Sequence, residues 1–243
     1  MLFILSPLEQ FEISYFYNSF FFNITTVSIF LFIIFSLYIL LLNINFYKKD
    51  YMFVNFFLFN LVQFVAGLIY TNVGKYGEKF LIFLSNIFLF ILFSNLVGMI
   101  PYAFTITSHI IITMSLSFIG FIGLNIIGIE KHKAHFFELF LPKGCPVIMS
   151  PFLIIIEIIS YTARLFSLAI RLFANMMAGH SLLKILSNFG YVLLLKQNMF
   201  YLALVPFLIV FCIVGLEIGI AMLQAYVFLI LMIIYLHDVI YLH

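Results

Sequence analysis

The chain of 243 residues is 66% hydrophobic and only 8% charged, with 11 basic and 9 acidic side chains. A soluble domain carries roughly 25% charged residues, so these charges could not cover the surface of a soluble fold, and disorder, collagen and coiled coil are excluded as well. The near balance of charge argues against nucleic acid as a partner, because binding it needs a dense basic face. We therefore predict a polytopic membrane protein of the all-α class, a single membrane domain over residues 1–243 in contact with the lipid bilayer.

Stretches without Asp, Glu, Lys or Arg divide the chain into predicted elements. Residues 1–22 form an N-terminal segment, and residues 23–47 predict the first membrane span. Residues 80–129 are interrupted by Pro101, and because one span needs about 20 apolar residues, they predict a two-span hairpin. Residues 151–238 hold two long apolar runs with embedded charges and predict a long helical hairpin. Together these elements give about five membrane-embedded helices.

Basic residues mark one side of this arrangement. Seven of the 11 basic residues fall on that side, namely Lys48, Lys49, Lys75, Lys79, Lys131, Lys133 and Lys143. This excess identifies the positive-inside face and places the N-terminus, with Glu9 and Glu12, on the opposite side. If residues 51–74 spanned the membrane, their flanking lysines would lie on opposite faces, so we predict an interfacial or re-entrant helix there.

Polar side chains recur in the two apolar runs of the last hairpin. Each charge near the bilayer centre costs about 2.5–3.5 kcal/mol, and such residues usually face a bundle interior or a water-filled path. At about 100° per residue, four polar residues of the first helix lie within about 40° of one another, and three of the second are separated by multiples of seven. The two stripes contain Glu157, Arg164, Arg171 and Asn175 on the first helix, and Glu217, Gln224 and Asp238 on the second.

An antiparallel arrangement of these helices aligns the two stripes. With the turn at Lys196-Gln197-Asn198, Glu157 faces Asp238, Arg171 faces Gln224, and His180 faces Glu217, so the hairpin carries three polar levels. His180 follows Arg171 by nine residues and therefore falls on the opposite face of an ideal helix. Either Gly179 allows a local bend or the two side chains face different compartments.

The residue types on this hairpin predict proton chemistry. Carboxylates and histidine bind and release protons, whereas the arginine guanidinium stays charged. A row of titratable groups interrupted by a permanent cation is two half-paths with an electrostatic block between them. A carboxylate carried past that block by another subunit would be ionised beside Arg171 and would take up a proton in lipid, as in a rotor and stator.

The run Ser167-Leu-Ala-Ile-Arg-Leu-Phe-Ala-Asn-Met-Met-Ala-Gly-His180 resembles the signature of subunit a of F-type ATP synthases, mitochondrial branch. Three further runs agree, and the resemblance covers nearly the whole chain. They are Ser6-Pro-Leu-Glu-Gln-Phe-Glu-Ile13, Asn95-Leu-Val-Gly-Met-Ile-Pro-Tyr102, and Glu217-Ile-Gly-Ile-Ala-Met-Leu-Gln-Ala-Tyr-Val-Phe228 followed by Tyr235-Leu-His-Asp238.

The resemblance implies a role for each polar residue. Arg171 matches the essential stator arginine that faces the rotor ring of c-subunits. The intermembrane-space half-channel corresponds to His180 and Glu217, and the matrix half-channel to Glu157 and Asp238. Asn175 and Gln224 match polar residues that line the path near the arginine.

The resemblance also implies the setting of the chain. It would be a non-catalytic, multi-pass stator subunit of the mitochondrial inner membrane, with its N-terminus on the intermembrane-space side and its last hairpin strongly tilted against the rotor. Proton flow would drive rotation for ATP synthesis on other subunits. The partners would be the c-ring and other membrane and peripheral-stalk subunits, without a cofactor or metal.

Other interpretations of the same features stay open at this point. The chain could be an ion-coupled secondary transporter, although such folds usually show two similar halves and broken helices. It could also be a structural membrane subunit of a respiratory complex. Among single residues, we interpret Arg164 as a helix-packing or lipid-headgroup residue and Lys184 as snorkelling to an interface. Gly215 and Gly219 predict close helix packing.

Overall fold

The computed structural model describes residues 7–18, 23–43, 52–100, 104–140, 149–195 and 200–241. These residues form six α-helices: α1 (Thr26–Asn43), α2 (Met52–Val73), α3 (Leu81–Gly98), α4 (Ile110–His132), α5 (Ser150–Leu195) and α6 (Phe200–Ile240). Within the described ranges, four helical segments are long and apolar enough to cross a membrane. The first, Phe56–Gly98, runs from α2 through α3, and the others are Ile110–His132, Ser150–Leu195 and Tyr201–Ile240. The prediction of an all-α polytopic membrane protein is confirmed.

A short antiparallel ladder precedes the helices and was not predicted. It pairs β1 (Tyr15–Asn18) with β2 (Asn23–Thr25). The first helix then begins with a reciprocal cap, in which Ser28 N–H donates to Thr25 Oγ1 at 3.3 Å and Thr25 N–H donates to Ser28 Oγ at 3.0 Å. This exchange satisfies backbone donors that a helix start leaves without partners.

Helix α2 ends where the backbone needs a glycine. Gly74 has φ of 74°, a left-handed conformation that glycine adopts without the Cβ penalty. A 3₁₀ segment (Gly74–Phe80) then leads into α3.

On α2, Val65 and Ile69 are buried in the main core. The position of residues 51–74 relative to the bilayer stays a prediction.

Helix α6 is the centre of the core. It packs against α2, α3, α4 and α5, and its C-terminal half buries Phe228, Leu229, Ile233 and Leu236. Its N-terminal half is mostly exposed in this chain, and Tyr201 and Phe211 are 90% and 81% exposed. The hairpin is therefore held by the rest of the chain at one end and presents an uncovered apolar surface at the other.

Three side chains anchor the C-terminal end of α6 by polar contacts with neighbouring elements. Lys131 Nζ and His132 Nε2 each lie 3.2 Å from the carbonyl oxygen of Ile240, and Tyr241 Oη donates to the carbonyl of Val73 at 3.0 Å. The last carbonyls of a helix lack partners within it, and a cation there is favourable. These contacts fix the end of α6 that carries Asp238.

The last two helices pair as a hairpin. Helix α5 ends at Leu195 and α6 begins at Phe200. The predicted turn residues Lys196-Gln197-Asn198 lie outside the described residues. The two helices pack closely along their length.

Candidate functional site

His180 and Glu217 meet across the α5–α6 hairpin, as their register predicted. His180 Nε2 lies 3.6 Å from Glu217 Oε1, and the two side chains are only 17% and 5% exposed. Neither His180 Nε2 nor either carboxylate oxygen has a hydrogen-bond partner among the described residues. A buried polar group normally has a partner, so three orphaned atoms in one place indicate a site that water or a proton carrier completes.

Gly179 explains how Glu217 comes so close to α5. A Cβ atom at Gly179 would lie 2.5 Å from Glu217 Oε1 and 3.1 Å from Glu217 Cδ, closer than packed atoms allow. The carboxylate therefore rests directly against the backbone of α5. Helix α5 is uninterrupted from Ser150 to Leu195, so the nine-residue separation of Arg171 and His180 turns the two side chains toward different surroundings.

The His180–Glu217 pair lies in a cleft of about 870 Å³, which we call the His180 cleft. Its walls come from the N-terminal segment, the start of α1, the end of α3, α5 and α6. The polar or charged lining side chains are Gln10, Glu12, Ser14, Thr26, His180, Lys184, Ser187 and Glu217. Gln10 Nε2 and Thr26 Oγ1 are buried there without a partner among the described residues. A cleft of this size with unsatisfied polar walls can hold several water molecules.

A second polar contact lies between this pair and the middle of the hairpin. Asn175 Nδ2 donates to Gln224 Oε1 at 2.9 Å, and Gln224 is 5% exposed. The register predicted Arg171 opposite Gln224. Gln224 instead contacts Asn175, which lies one helical turn further along α5, so the predicted partner was wrong. Asn95 of α3, for which the sequence predicted no contact, donates to the carbonyl of Ala221 at 3.3 Å. It fixes α6 between Glu217 and Gln224.

Arg171 itself is exposed on the outer side of α5. Its neighbours Leu168 and Leu172 are buried and hold the opposite side of the helix against the core. In the part of the chain that the structure describes, Arg171 makes no hydrogen bond and no salt bridge. The chain thus presents a permanent positive charge to whatever lies beside this helix.

Arg164 joins the two acids at the other end of the hairpin. Its Nη1 lies 3.5 Å from Asp238 Oδ2, its Nη2 lies 3.9 Å from Glu157 Oε1, and its guanidinium stacks 5.7 Å from the centre of the Tyr235 ring. These contacts agree with the interpretation of Arg164 as a helix-packing residue and not with the lipid-headgroup alternative, and they add a carboxylate of α6 that the periodicity of α5 alone could not show. Glu157 and Asp238 form one polar level, as predicted, with Arg164 between them.

The predicted close packing at Gly215 and Gly219 was wrong within this chain. A Cβ atom at either position would have no neighbour within 4 Å. Both glycines are exposed on the outer face of α6. Any close approach at this surface must come from outside the described part of the chain.

Comparison with known proteins decides the family. The model of the ATP synthase A chain family matches residues 22–237. The chain belongs to this family. It is 45% identical to the ATP synthase subunit a of Marchantia polymorpha, over 98% of this chain and 99% of the relative, and 42% identical to that of Chondrus crispus, over 99% and 98%. A bacterial relative, ATP synthase subunit a of Paramagnetospirillum magneticum, is 46% identical over 74% of each chain.

Family membership identifies a non-catalytic, multi-pass membrane subunit of an F-type ATP synthase that assembles with the rest of the complex and serves proton transport and ATP synthesis. It leaves no basis for the secondary-transporter and respiratory-complex alternatives. Among the described residues, no group of three or more His, Cys, Asp or Glu side chains is placed to hold a metal ion.

Proposed function

We propose that the chain is the proton-conducting stator subunit of a mitochondrial F-type ATP synthase, with two offset half-channels separated by Arg171. One observation carries the proposal: Arg171 is exposed and unpaired within the described residues, whereas the polar clusters on either side of it are paired across the hairpin. A structural arginine in a membrane helix would be expected to pair inside its own subunit.

The His180 cleft is the proposed access half-channel. Protons reach Glu217 through the cleft, whose buried polar atoms lack hydrogen-bond partners among the described residues, and His180 exchanges them with the carboxylate 3.6 Å away. Asn175 and Gln224 continue the polar lining toward the level of Arg171. The unsatisfied carboxylate oxygens of Glu217 are free to accept a proton from water and to pass it on.

Glu157 and Asp238 form the proposed exit half-channel. Their side chains are 33% and 31% exposed and share the Arg164 guanidinium. Arg171 lies about 21 Å along the helix axis from Glu157 and about 13 Å from His180, at 1.5 Å per residue. No continuous titratable row joins the two ends, because a guanidinium does not give up its proton under these conditions.

The surface around Arg171 suits a closely approaching ring of c-subunits. Small side chains are exposed at one- and two-turn spacing along the same side of α5, at Ala163, Ser167, Ala174 and Ala178. On α6, the exposed Gly215 and Gly219 form a second surface strip that carries no side chains. Small residues let helix backbones approach closely in a membrane, and a ring carboxylate arriving at Arg171 would be ionised by that charge.

We further propose that the subunit forms one membrane domain in the mitochondrial inner membrane and faces the intermembrane space with its N-terminus. The N-terminal residues Gln10 and Glu12 line the same cleft as His180, whereas Lys131 lies at the opposite end of α6. The resemblance of residues 167–180 to the mitochondrial branch of the family supports the same location. The remaining partners are other membrane and peripheral-stalk subunits of the complex.

The deciding experiment replaces Arg171 in the assembled complex. Arg171→Ala should abolish proton-driven ATP synthesis in inverted membranes while the complex still assembles. Arg171→Lys should fail as well, because a desolvated lysine can lose its proton. Lys75→Ala, which removes an exposed cation away from the hairpin, is the control and should synthesise ATP at the normal rate. ATP synthesis by the Arg171→Ala complex would overturn the proposal.

A further inference from the structure

We propose that residues 10–14 of the N-terminal segment form a fixed wall of the His180 cleft, and that the Glu12 carboxylate attracts protons into it. The proposal rests on the proposed role of His180 and Glu217 as the access half-channel and adds a residue that precedes them on the proton path. It assigns a function to the segment before the first helix.

One backbone hydrogen bond shapes the wall internally, and a second ties its C-terminal end to α1. Glu12 N–H donates to the carbonyl of Glu9 at 3.2 Å, which closes the turn after the 3₁₀ segment Pro7–Phe11. Thr26 N–H donates to the carbonyl of Ser14 at 3.0 Å, which ties the segment to the first residue of α1. The segment also packs against α5. Gln10, Glu12 and Ser14 line the cleft from this position.

Polar groups lead from the outside of the cleft to its buried end. Glu12 is exposed, whereas Gln10 Nε2 and Thr26 Oγ1 are buried without a partner among the described residues. His180 and Glu217 follow with side-chain exposures of 17% and 5%. Water in the cleft would satisfy these atoms and connect the exposed carboxylate to the buried one.

The charges in the cleft give Glu12 its effect. Four ionisable side chains line the cleft: Glu12, His180, Lys184 and Glu217. The ammonium of Lys184 raises the electrostatic potential against an arriving proton, and the exposed carboxylate of Glu12 lowers it. Apolar walls such as Phe30 and Phe104 focus the field of such charges, and focusing changes association rates by about 10- to 1,000-fold in favourable clefts. For one exposed carboxylate we expect about a two- to five-fold effect.

The test measures proton conduction of the assembled complex in vesicles under an imposed potential. Glu12→Gln should slow conduction about two- to five-fold at 10 mM salt, and the difference should vanish at 1 M salt, since the Debye length falls from about 30 Å to about 3 Å. Glu12→Asp should keep the normal rate. Glu78→Gln, which removes an exposed carboxylate outside the cleft, should conduct normally at both salt concentrations.

A second measurement reverses the charge at the same position. In a Cys145→Ser, Cys212→Ser background, Glu12→Cys is treated with a sulfonate-bearing or an ammonium-bearing thiosulfonate. The sulfonate should restore conduction and the ammonium should depress it further. Equal rates after both reagents, or a Glu12→Gln loss that salt does not change, would overturn the proposal. The proposed function is tested separately, because Arg171→Ala abolishes synthesis whether or not Glu12 contributes.

Discussion

Arg164 and Asp238 contact each other across the α5–α6 hairpin, with Nη1 of the arginine 3.5 Å from Oδ2 of the aspartate. The same guanidinium reaches Glu157 at 3.9 Å, so one cation links the start of α5 to the end of α6. Two arginines seven residues apart on one helix therefore have opposite environments. Arg164 is bound within the subunit, whereas Arg171 is exposed and unpaired among the described residues.

Replacing Arg164 should weaken proton exit without abolishing it. In Arg164→Gln the two carboxylates lose their shared cation, and we expect proton conduction to fall severalfold and the hairpin to lose about 1 kcal/mol or less, because all three side chains are about one-third exposed. Arg164→Lys should recover part of the rate, since it keeps the charge but lacks the two-pronged guanidinium. Proton conduction in vesicles and thermal unfolding in detergent measure the two effects. Equal conduction by wild type and Arg164→Gln would contradict this expectation.

Neutralising Glu217 should stop proton access. Glu217→Gln preserves shape in a site that is 4% exposed but removes the ability to carry a proton, so we expect at least a ten-fold loss of proton-driven ATP synthesis in intact complexes. Glu130→Gln, at the far end of α4, is the matched control and should be active. A structural role for Glu217 predicts undiminished proton flux in the variant, so the flux separates the two interpretations.

A methyl group at Gly179 should displace Glu217 while leaving the helix intact. Alanine favours a helix by about 1 kcal/mol over glycine, so Gly179→Ala should not destabilise α5 through its backbone. Its Cβ would stand 2.5 Å from Glu217 Oε1, so the carboxylate must shift from its position beside α5, which alters its 3.6 Å contact with His180. We expect reduced proton conduction with a normal circular dichroism spectrum. Gly67→Ala is the control, since a Cβ there meets nothing within 4 Å, and its conduction should be unchanged. Normal conduction in Gly179→Ala would show that the close approach is not needed.

Tyr241→Phe should affect stability and not conduction. It removes the hydroxyl that donates to the Val73 carbonyl at 3.0 Å, and a hydrogen bond of this kind contributes about 0.5–1.5 kcal/mol. Denaturant unfolding of the detergent-solubilised complex should show a loss of that size, with proton conduction at the wild-type rate. A large conduction defect would place the end of α6 on the proton path itself.

The periodicity of the sequence predicted much of the hairpin and of its polar levels. Residues spaced at helical intervals share a face whatever surrounds them, and antiparallel register then brought His180 opposite Glu217 correctly. The functions of these residues are still predictions that the experiments above address.

The sequence did not predict contacts that reach the hairpin from the N-terminal turn, which has no helical periodicity, or from helices elsewhere in the chain. Gln10 and Glu12 lie in a short turn far from His180 in sequence, so no spacing rule connects them to the cleft. Asn95 contributes a hydrogen bond to a backbone carbonyl of α6, which leaves no sequence pattern on the acceptor side. Gly215 and Gly219 were misassigned because small residues favour close approach but do not specify which chain approaches.

The unpaired guanidinium of Arg171 also affects the membrane stability of the newly made protein. A membrane-inserted copy that has not yet met its partners would keep a full charge against hydrocarbon, at a cost of about 2.5–3.5 kcal/mol or more near the bilayer centre. On the proposed function, a carboxylate of the rotor ring would remove this cost, so an unassembled subunit would be less stable in the membrane than an assembled one, and its half-life would measure the rate of assembly.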